Sequence, residues 1–256
     1  IAAALATWKI GAVPIPMRWD LPDWEQQRLL EVIAPAFVLS EDNVTDLTTL
    51  AASQDDSALP DIVSPAVNGI CSSGSTGLPK IIVNTAPALW TPEKAQPFMA
   101  QWTPQEIGAV PQVILVPAPM YHTNGFGTLN YLLGGDRLIV LEKFDAGQVL
   151  DAIERHRVTN FTATPTMLAR IADVPGVESR DLSSVVWILQ GAAVMPQTLL
   201  RRWFELLSPQ QVVMAYGMTE NLGLAALRGD EWLAHPGSVG RGFRDTEIRI
   251  ADDHGN

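Results

Sequence analysis

Short runs of strand-like composition alternate along the chain with segments whose apolar residues recur at helical spacing. Residues 113–116, 160–163 and 212–215 are runs of the length of buried strands. Between the first two, residues 146–156 place their apolar side chains on one face, which predicts an amphipathic helix. Strands that alternate with helices predict βαβ units, because parallel strands need a crossover connection. The pattern therefore predicts an α/β fold with largely parallel sheets.

The same pattern predicts further elements. The other predicted helices are residues 22–33, 46–52, 86–102, 125–133, 166–172 and 197–207. The other predicted strands are residues 37–39, 67–71, 81–83, 138–141, 185–189 and 247–250. The polar, proline-containing stretch 54–65 is the predicted surface linker.

Both termini have the character of interrupted elements. Residues 1–9 resemble the end of a helix, with no initiator methionine and no basic leader, and residues 251–256 read as a turn after a predicted strand. We therefore expect a piece of a longer protein.

Composition and charge narrow the function classes. The chain has 256 residues, of which 47% are hydrophobic and 18% charged, so it contains enough apolar material for a globular core. The formal net charge is −11 with scattered lysines and arginines, so a nucleic-acid interface, which needs clustered cations, is disfavoured. The single cysteine, Cys71, excludes a disulfide within the chain and fits a reducing, cytoplasmic location. No histidine or cysteine pair has zinc-ligand spacing, and no apolar run approaches the roughly 20 residues that span a bilayer.

The strongest local signal is the loop Ser72-Ser-Gly-Ser-Thr-Gly-Leu-Pro-Lys80 between two predicted strands. Its glycines let the backbone approach a ligand, its hydroxyls are donors and Lys80 adds a cation, which together suit a polyphosphate. Lys80 follows Gly77 by three residues, which is not the NTPase spacing, and Ser73 replaces the first glycine of a serine-hydrolase elbow. From these residues alone, a solvated hairpin is an equal alternative to a phosphate site.

The segment at residues 71–80 resembles the AMP-binding signature of the adenylate-forming superfamily, which includes acyl- and aryl-CoA synthetases, firefly luciferase and peptide-synthetase adenylation domains. Five further segments match motifs of this superfamily in the expected order, and they are residues 8–16, 119–125 (Pro-Met-Tyr-His-Thr-Asn-Gly), 191–196 (Gly-Ala-Ala-Val-Met-Pro), 215–220 (Ala-Tyr-Gly-Met-Thr-Glu) and 236–241 (Pro-Gly-Ser-Val-Gly-Arg). The resemblance implies the superfamily's large N-terminal domain, incomplete, with stacked mixed, largely parallel β-sheets flanked by helices. Its subdomain pieces are expected at about residues 1–66 and 67–256.

The resemblance also implies a nucleotide site. The residues expected to contact ATP or AMP are Ser72, Ser73, Gly74, Ser75, Thr76, Gly77, Lys80, Gly191, Ala192, Ala193, Ala215, Tyr216, Gly217 and Thr219. Thr219, Glu220 and Lys80 are the expected catalytic residues, and Glu220 is expected to hold Mg²⁺. Tyrosine can stack on a purine and a carboxylate suits a hard cation, so the residue types agree with these roles. Taken without the other motifs, residues 216–220 would more simply be a strand end followed by a helix cap.

The acid pocket is expected to involve His122, Phe126, Trp187, Gly191, Ala215 and Met218. Residues 121–126 contain no carboxylate of the kind that peptide-synthetase domains use to hold an amino group, so a non-amino acid is favoured. The apolar side chains, together with Leu189, suit an aryl or a medium-to-large acyl acid. Each of them also fits an ordinary core position, and His122 also fits a hydrogen-bonded structural histidine.

The implied reaction has two steps, in which a carboxylate attacks the α-phosphate of MgATP to give acyl-AMP and pyrophosphate, and the thiol of coenzyme A then displaces AMP. A role in fatty acid metabolism belongs to the same expectation, and a homodimer stays open. The hinge and the C-terminal lid with its adenylation lysine are expected beyond Asn256, so the fragment alone is expected to bind nucleotide and acid without turnover. The alternatives are an acyl-AMP ligase that loads a carrier protein, a luciferase-like oxygenase and a non-catalytic nucleotide-binding module.

Overall fold

The computed structural model describes residues 1–55, 57–72, 80–91, 111–220, 222–243 and 245–252. The chain divides into two compact units, Ile1–Leu89 and Trp90–Asn256. The boundary expected near residues 66 and 67 lies inside the first unit, because the strand that begins at Asn68 pairs with the strand that follows it. Within the described residues, no helix has the length and apolar character that crossing a membrane requires.

The first unit combines helices with a β-hairpin. Its described elements are α1 (Ala2–Lys9), α2 (Asp23–Ile33), α3 (Glu41–Ala52), β1 (Asn68–Ser72) and β2 (Lys80–Asn84). Asp23 and Glu25 lie in the first turn of α2, where carboxylates are stabilised by the helix dipole. The indole Nε1 of Trp8 donates to the carbonyl of Val67 at 2.6 Å, which fastens α1 to the start of the hairpin. Leu29 is the only residue of the three helices that is fully buried.

The second unit alternates strands and helices. Its described elements are β3 (Val113–Val116), α4 (Thr123–Phe126), α5 (Leu129–Leu133), β4 (Arg137–Val140), α6 (Ala146–His156), β5 (Asn160–Ala163), α7 (Pro165–Ala172), β6 (Trp187–Gln190), α8 (Gln197–Leu206), β7 (Val212–Gly217), β8 (Leu224–Arg228), α9 (Gly229–Ala234) and β9 (Arg241–Gly242). Side-chain caps fix the N-termini of two helices. The side chain of Asp145 accepts a hydrogen bond from the backbone N–H of Gln148 at the start of α6, and that of Thr164 accepts one from the backbone N–H of Met167 at the start of α7.

The strands of the second unit form one sheet in the order β4-β3-β5-β6-β7-β8-β9. The pairs from β4 to β7 are parallel, and β8 and β9 are added antiparallel. The chain passes from β3 to β4 on one side and then to β5 on the other side of β3. The carboxyl ends of β3 and β5 therefore flank the reversal in strand order, which is where open α/β sheets bind their ligands. The predicted mixed, largely parallel architecture is confirmed.

Successive side chains along the strands of this sheet point to its two opposite faces. Leu115, Phe161, Ile188 and Val212 pack on α6, α7 and α8 in the main core. Trp187 and Val213 form a separate apolar cluster, against which Val186 and Leu189 pack. Since neighbouring residues of a strand point to opposite faces, the second cluster lies on the face turned away from these three helices.

An ion-pair group holds the segment after α7 against α6. The guanidinium of Arg180 lies 2.6 Å from Asp151 Oδ1 and 2.7 Å from Glu154 Oε2, and the backbone N–H of Asp181 donates to Glu154 Oε1 at 2.9 Å. The hydrogen bonds from Arg180 and from the Asp181 N–H lower the pKa of Glu154, because they favour its charged form.

Some predicted elements are wrong. Residues 86–91 are not helical, since the side chain of Asn84 accepts the N–H of Ala86 in a turn, and residues 92–102 of that predicted helix lie outside the described part of the chain. Residues 37–39 and 247–250 belong to no strand. The predicted helix at 125–133 is two short helices, α4 and α5, whereas β8, α9 and β9 were not predicted.

Candidate functional site

Three of the predicted site segments follow parallel strands of the second unit at their carboxyl ends. His122 comes shortly after β3, and Gly191, Ala192 and Ala193 come directly after β6. Tyr216 and Gly217 end β7, with Met218, Thr219 and Glu220 immediately behind them. Because the carboxyl ends of parallel strands lie at one edge of a sheet, the structure brings these segments to the same edge.

The segment around His122 folds back on itself. The N–H of His122 donates to the carbonyl of Pro119 at 3.1 Å, and the N–H of Gly125 donates to the carbonyl of His122 at 3.0 Å. A Cβ atom at Gly125 would lie 2.2 Å from the oxygen of Pro119, so only glycine fits there. The exposed imidazole of His122 stands beside the ring of Tyr121, with 4.7 Å between their centroids. The spacing of proline, histidine and glycine in this motif thus has a steric cause.

The loop after β6 is held in a strained conformation. Ala192 has a φ of 70°, which is unfavourable for a residue with a side chain and has to be held in place by its surroundings. The buried side chain of Gln190 holds the loop, because its Nε2 donates to the carbonyl of Ala193 at 2.7 Å and to that of Gly191 at 3.3 Å. A Cβ atom at the buried Gly191 would meet the carbonyl oxygen of Ala215 at 3.8 Å and no nearer described atom. Space for a ligand atom therefore exists beside Gly191.

The end of β7 exposes side chains of several chemical types. Tyr216 is 61% exposed and Met218 is 49% exposed, although the first three residues of β7 are buried. Thr219 and Glu220 lie in an exposed turn, and neither side chain has a hydrogen bond or ion pair with the described residues. Pairing of Gly217 with Leu224 in β8 fixes the base of this turn. The arrangement offers an aromatic face, a hydroxyl and a carboxylate to a ligand.

The predicted acid-pocket residues divide by environment. Trp187 and Phe126 are buried, at 2% and 6% exposure, whereas Met218 is exposed. Trp187 and Leu189 point to the same face of β6. Leu189 pairs with Val213 of β7, and Gly191 and Ala215 each come two residues later. Gly191 and Ala215 therefore lie side by side on that same face. Three of the predicted residues, Trp187, Gly191 and Ala215, therefore share one face of two adjacent strands.

The predicted phosphate loop belongs to the first unit. Ser72 ends β1, Lys80 begins β2, and the two residues are paired across an antiparallel ladder. The strand predicted directly after Lys80 is confirmed by β2. The remaining loop residues, Ser73, Gly74, Ser75, Thr76 and Gly77, lie outside the described residues. Cys71 is half-buried in β1, and burial raises the pKa of its thiol, which makes it a poor nucleophile at neutral pH.

Glu220 is suited to a magnesium ion that arrives with its nucleotide. The described residues contain no group of three or more histidine, cysteine or acidic side chains that could enclose a metal. Mg²⁺ in nucleotide sites is bound by one or two carboxylates together with substrate phosphates, and Glu220 is an exposed carboxylate without a competing cation in the described structure. Its side chain therefore fits that role.

Two residues with a part in this site were missed from the sequence. Gln190 holds the loop of Gly191–Ala193, and Thr128 donates from Oγ1 to the carbonyl of Gly125 at 2.6 Å. Both are buried polar residues next to predicted motifs. A glutamine at the end of a buried strand was the available signal, because a buried amide needs hydrogen-bond partners.

Comparison with known proteins gives consistent matches. A family model described as AMP-binding enzyme matches residues 1–256. The 4-coumarate–CoA ligase 3 of Arabidopsis thaliana is 35% identical over 192 residues, which cover 70% of this chain and 33% of the relative. The indoleacetate–CoA ligase of Aromatoleum aromaticum is 28% identical over 291 residues, which cover 100% of this chain and 55% of the relative. The chain thus spans about half the length of these relatives or less.

A solved structure shares the fold. The o-succinylbenzoate coenzyme A synthetase of Bacillus subtilis, in complex with ATP and magnesium ion, superposes with a TM-score of 0.77 at 23% identity. The match covers 99% of this chain and 54% of that protein.

Proposed function

The chain belongs to the AMP-binding enzyme family, and from that membership we propose that its parent protein uses ATP to join a carboxylic acid to the thiol of coenzyme A through an acyl-adenylate. The observation that carries the proposal is the placement of the Gly191–Ala193 loop and of Tyr216–Glu220 at the carboxyl ends of two adjacent parallel strands. One edge of the sheet thereby offers backbone groups, an aromatic ring, a hydroxyl and a carboxylate to a single ligand.

The nucleotide is proposed to lie along this edge. The exposed ring of Tyr216 stacks on the adenine, and the Gly191–Ala193 loop, held by Gln190, borders it. Thr219 donates its hydroxyl to the α-phosphate, and Glu220 would hold a Mg²⁺ ion, which when bound would supply positive charge to the phosphates. Lys80 and the hydroxyl-rich loop that it ends are proposed to bind the pyrophosphate portion, as a mobile cation beside many donors.

Catalysis of the first step then consists of positioning and charge stabilisation. The acid lies with its carboxylate near His122 and Thr219, so that an oxygen can attack the α-phosphorus in line with the departing pyrophosphate. As that bond forms, negative charge on the transferring group is met by the Thr219 hydroxyl. The acyl-adenylate is then attacked by a thiol, and AMP leaves.

The acid is proposed to be an aryl acid. The two relatives described above are named for 4-coumarate and indoleacetate, and both of these acids carry an aromatic ring. The apolar side chains of Trp187, Leu189 and Phe126 near the proposed site are compatible with such a ring. We also propose that the protein is cytoplasmic, because its cysteine Cys71 is free and half-buried, as is usual in a reducing compartment.

The decisive experiment measures acid-dependent AMP release and ATP–pyrophosphate exchange by the full-length protein over a panel of aryl acids. Glu220→Gln is expected to lower the exchange rate by on the order of 100-fold, because the metal loses its anionic ligand. Glu142→Gln is the matched control, since Glu142 is also exposed and follows the carboxyl end of a parallel strand, β4. Exchange that is equally fast in all three proteins would remove Glu220 from the mechanism, and no exchange with any acid would overturn the proposed function.

A further inference from the structure

Trp187 carries a buried donor that the described residues leave unused. Its side chain is 2% exposed, and its indole Nε1 has no hydrogen-bond partner in the described structure. Other tryptophans of the chain do have partners: Nε1 of Trp203 donates to the carbonyl of Leu168 at 3.2 Å, and Nε1 of Trp8 to that of Val67 at 2.6 Å. A buried N–H without an acceptor is costly and rare in folded proteins, so this one calls for an acceptor that the described residues do not supply.

The position of Trp187 relates it to the proposed acid site. Trp187, Leu189 and Gly191 alternate with Ile188 and Gln190, so they share the sheet face that is turned away from α6, α7 and α8. Space for a ligand atom lies beside Gly191 at the carboxyl end of β6. Trp187 is four residues deeper on the same strand, which corresponds to about 13 Å at the usual rise per residue. An acid whose carboxylate lies at the sheet edge would therefore direct its far end toward Trp187.

This spacing limits the size of the acid. Part of the 13 Å or so is taken up by the indole ring, which leaves roughly 10 Å for the ligand. One aromatic ring with a short carbon chain to the carboxylate has this length. A long saturated chain would have to bend away or displace the indole.

The surroundings limit the acceptor. The apolar side chains of Val186, Leu189 and Val213 pack together with Trp187. A second carboxylate at this depth would be buried without a cation from this cluster, whereas a neutral oxygen requires only a donor. A phenolic hydroxyl or a carbonyl is thus the matching group.

We propose that the indole N–H of Trp187 donates a hydrogen bond to a neutral oxygen at the far end of the acid, so that the enzyme prefers ring-oxygenated aryl acids to their unsubstituted counterparts. The inference rests on the proposed acid activation and adds the specificity-determining residue. Discrimination follows because the unsubstituted acid leaves the buried N–H without an acceptor.

The test compares para-hydroxycinnamate with cinnamate as substrates of the full-length protein. The wild-type ratio of kcat/KM for AMP release is expected to favour the hydroxylated acid by roughly 10-fold, which is the effect of one neutral hydrogen bond. Trp187→Phe keeps an aromatic side chain and removes the N–H, so the ratio is expected to fall close to one. The loss should arise from the hydroxylated acid, with cinnamate turnover retained.

Trp203→Phe is the matched control. Trp203 is as deeply buried as Trp187, but its N–H already has an acceptor in Leu168 and it packs with the helices on the other sheet face. Trp203→Phe is expected to lower the melting temperature and leave the acid ratio unchanged. Trp187→Phe is expected to change the ratio with a smaller loss of stability, because no protein hydrogen bond is broken.

The outcomes separate the two proposals. AMP release from neither acid nor from the wider aryl panel overturns the proposed function and this inference with it. Turnover of both acids with the same ratio in wild type and Trp187→Phe overturns this inference alone. If Trp187→Phe does not fold, the wild-type ratio decides, and a wild type without preference for the hydroxylated acid overturns the role of Trp187.

Discussion

Single residues fix the geometry of the His122 segment through steric contact. Gly125 approaches the carbonyl of Pro119 so closely that a methyl group has no room, and the same carbonyl accepts the N–H of His122. A similar contact occurs at Gly240, where a Cβ would lie 2.2 Å from the carbonyl oxygen of Ala226 and where φ is 94°. Glycines in two of the sequence motifs are therefore required by the fold itself.

Gly125→Ala is expected to destabilise the protein by about 2 kcal/mol, because the new methyl group must displace backbone rather than a flexible side chain. Gly147→Ala serves as the control, since a Cβ there would meet only the side chain of Asp145 at 3.3 Å. Urea unfolding at equilibrium measures both free energies. Equal stabilities of the two variants would show that the Pro119 contact relaxes at little cost.

The sequence revealed the motif residues but not the residues that hold them. The site segments at 119–125, 191–196 and 215–220 could be named from residue types and order. Gln190 and Thr128 could not, because their roles depend on which carbonyl lies within reach after folding. Burial of Trp187 without a partner for its N–H is likewise a property of packing.

At the scale of elements, the attachment of the segment after α7 to α6 depends on charge. Arg180 bridges two carboxylates of α6, Asp151 and Glu154, which lie three residues apart on one helix face. The lowered pKa of Glu154 means that the folded protein binds this proton more weakly than the unfolded chain does. Its contribution to stability is therefore complete above the ordinary glutamate pKa and is lost as the pH falls through the folded value.

Glu154→Gln is accordingly expected to lower the urea midpoint at pH 7, with the difference from wild type shrinking below about pH 4.3, the ordinary value for glutamate. Urea titrations at pH 7 and at a pH below that value measure the effect. Glu142→Gln, at an exposed carboxylate without an ion pair in the described structure, is the control and should leave the urea midpoint at pH 7 unchanged. A difference for Glu154→Gln that persists unchanged at low pH would assign it to lost packing instead of charge.

Elements were predictable where one periodicity dominated. The four buried side chains of α6 recur at helical spacing, so its existence followed from the sequence. The residues of β8, Leu-Ala-Ala-Leu-Arg, have no such preference and become a strand only because β7 offers an open edge. The run Phe37-Val-Leu39 has strand-like composition but no neighbouring strand to pair with.

At the scale of the whole molecule, the two units differ in how much they bury. The three helices of the first unit fully bury a single side chain, whereas α6 and α7 of the second unit bury four each. Trp19 and Trp24 of the first unit remain 82% and 64% exposed. Because helix stability in proteins comes mainly from packing, the first unit is held by fewer contacts.

Cys71 allows this difference to be measured, since it is the only cysteine and lies in the first unit. Its raised pKa and half-buried position should make alkylation by iodoacetamide slower in the folded protein than in the unfolded chain. As urea rises, the thiol is expected to become reactive before the amides of β5 and β6 lose their protection from hydrogen exchange. If the thiol becomes reactive at the same urea concentration at which the amides lose their protection, the chain unfolds as a single cooperative unit.

The ladder between β7 and β8 restricts how this region can diverge in length. Gly217 pairs with Leu224, and Ala225 and Leu227 of β8 have buried side chains that depend on this register. An inserted or deleted residue that the turn does not absorb would shift this register by one, placing the inward side chains of β8 outside and the outward ones inside. Homologous chains should therefore accept substitutions in this exposed turn far more readily than changes in its number of residues.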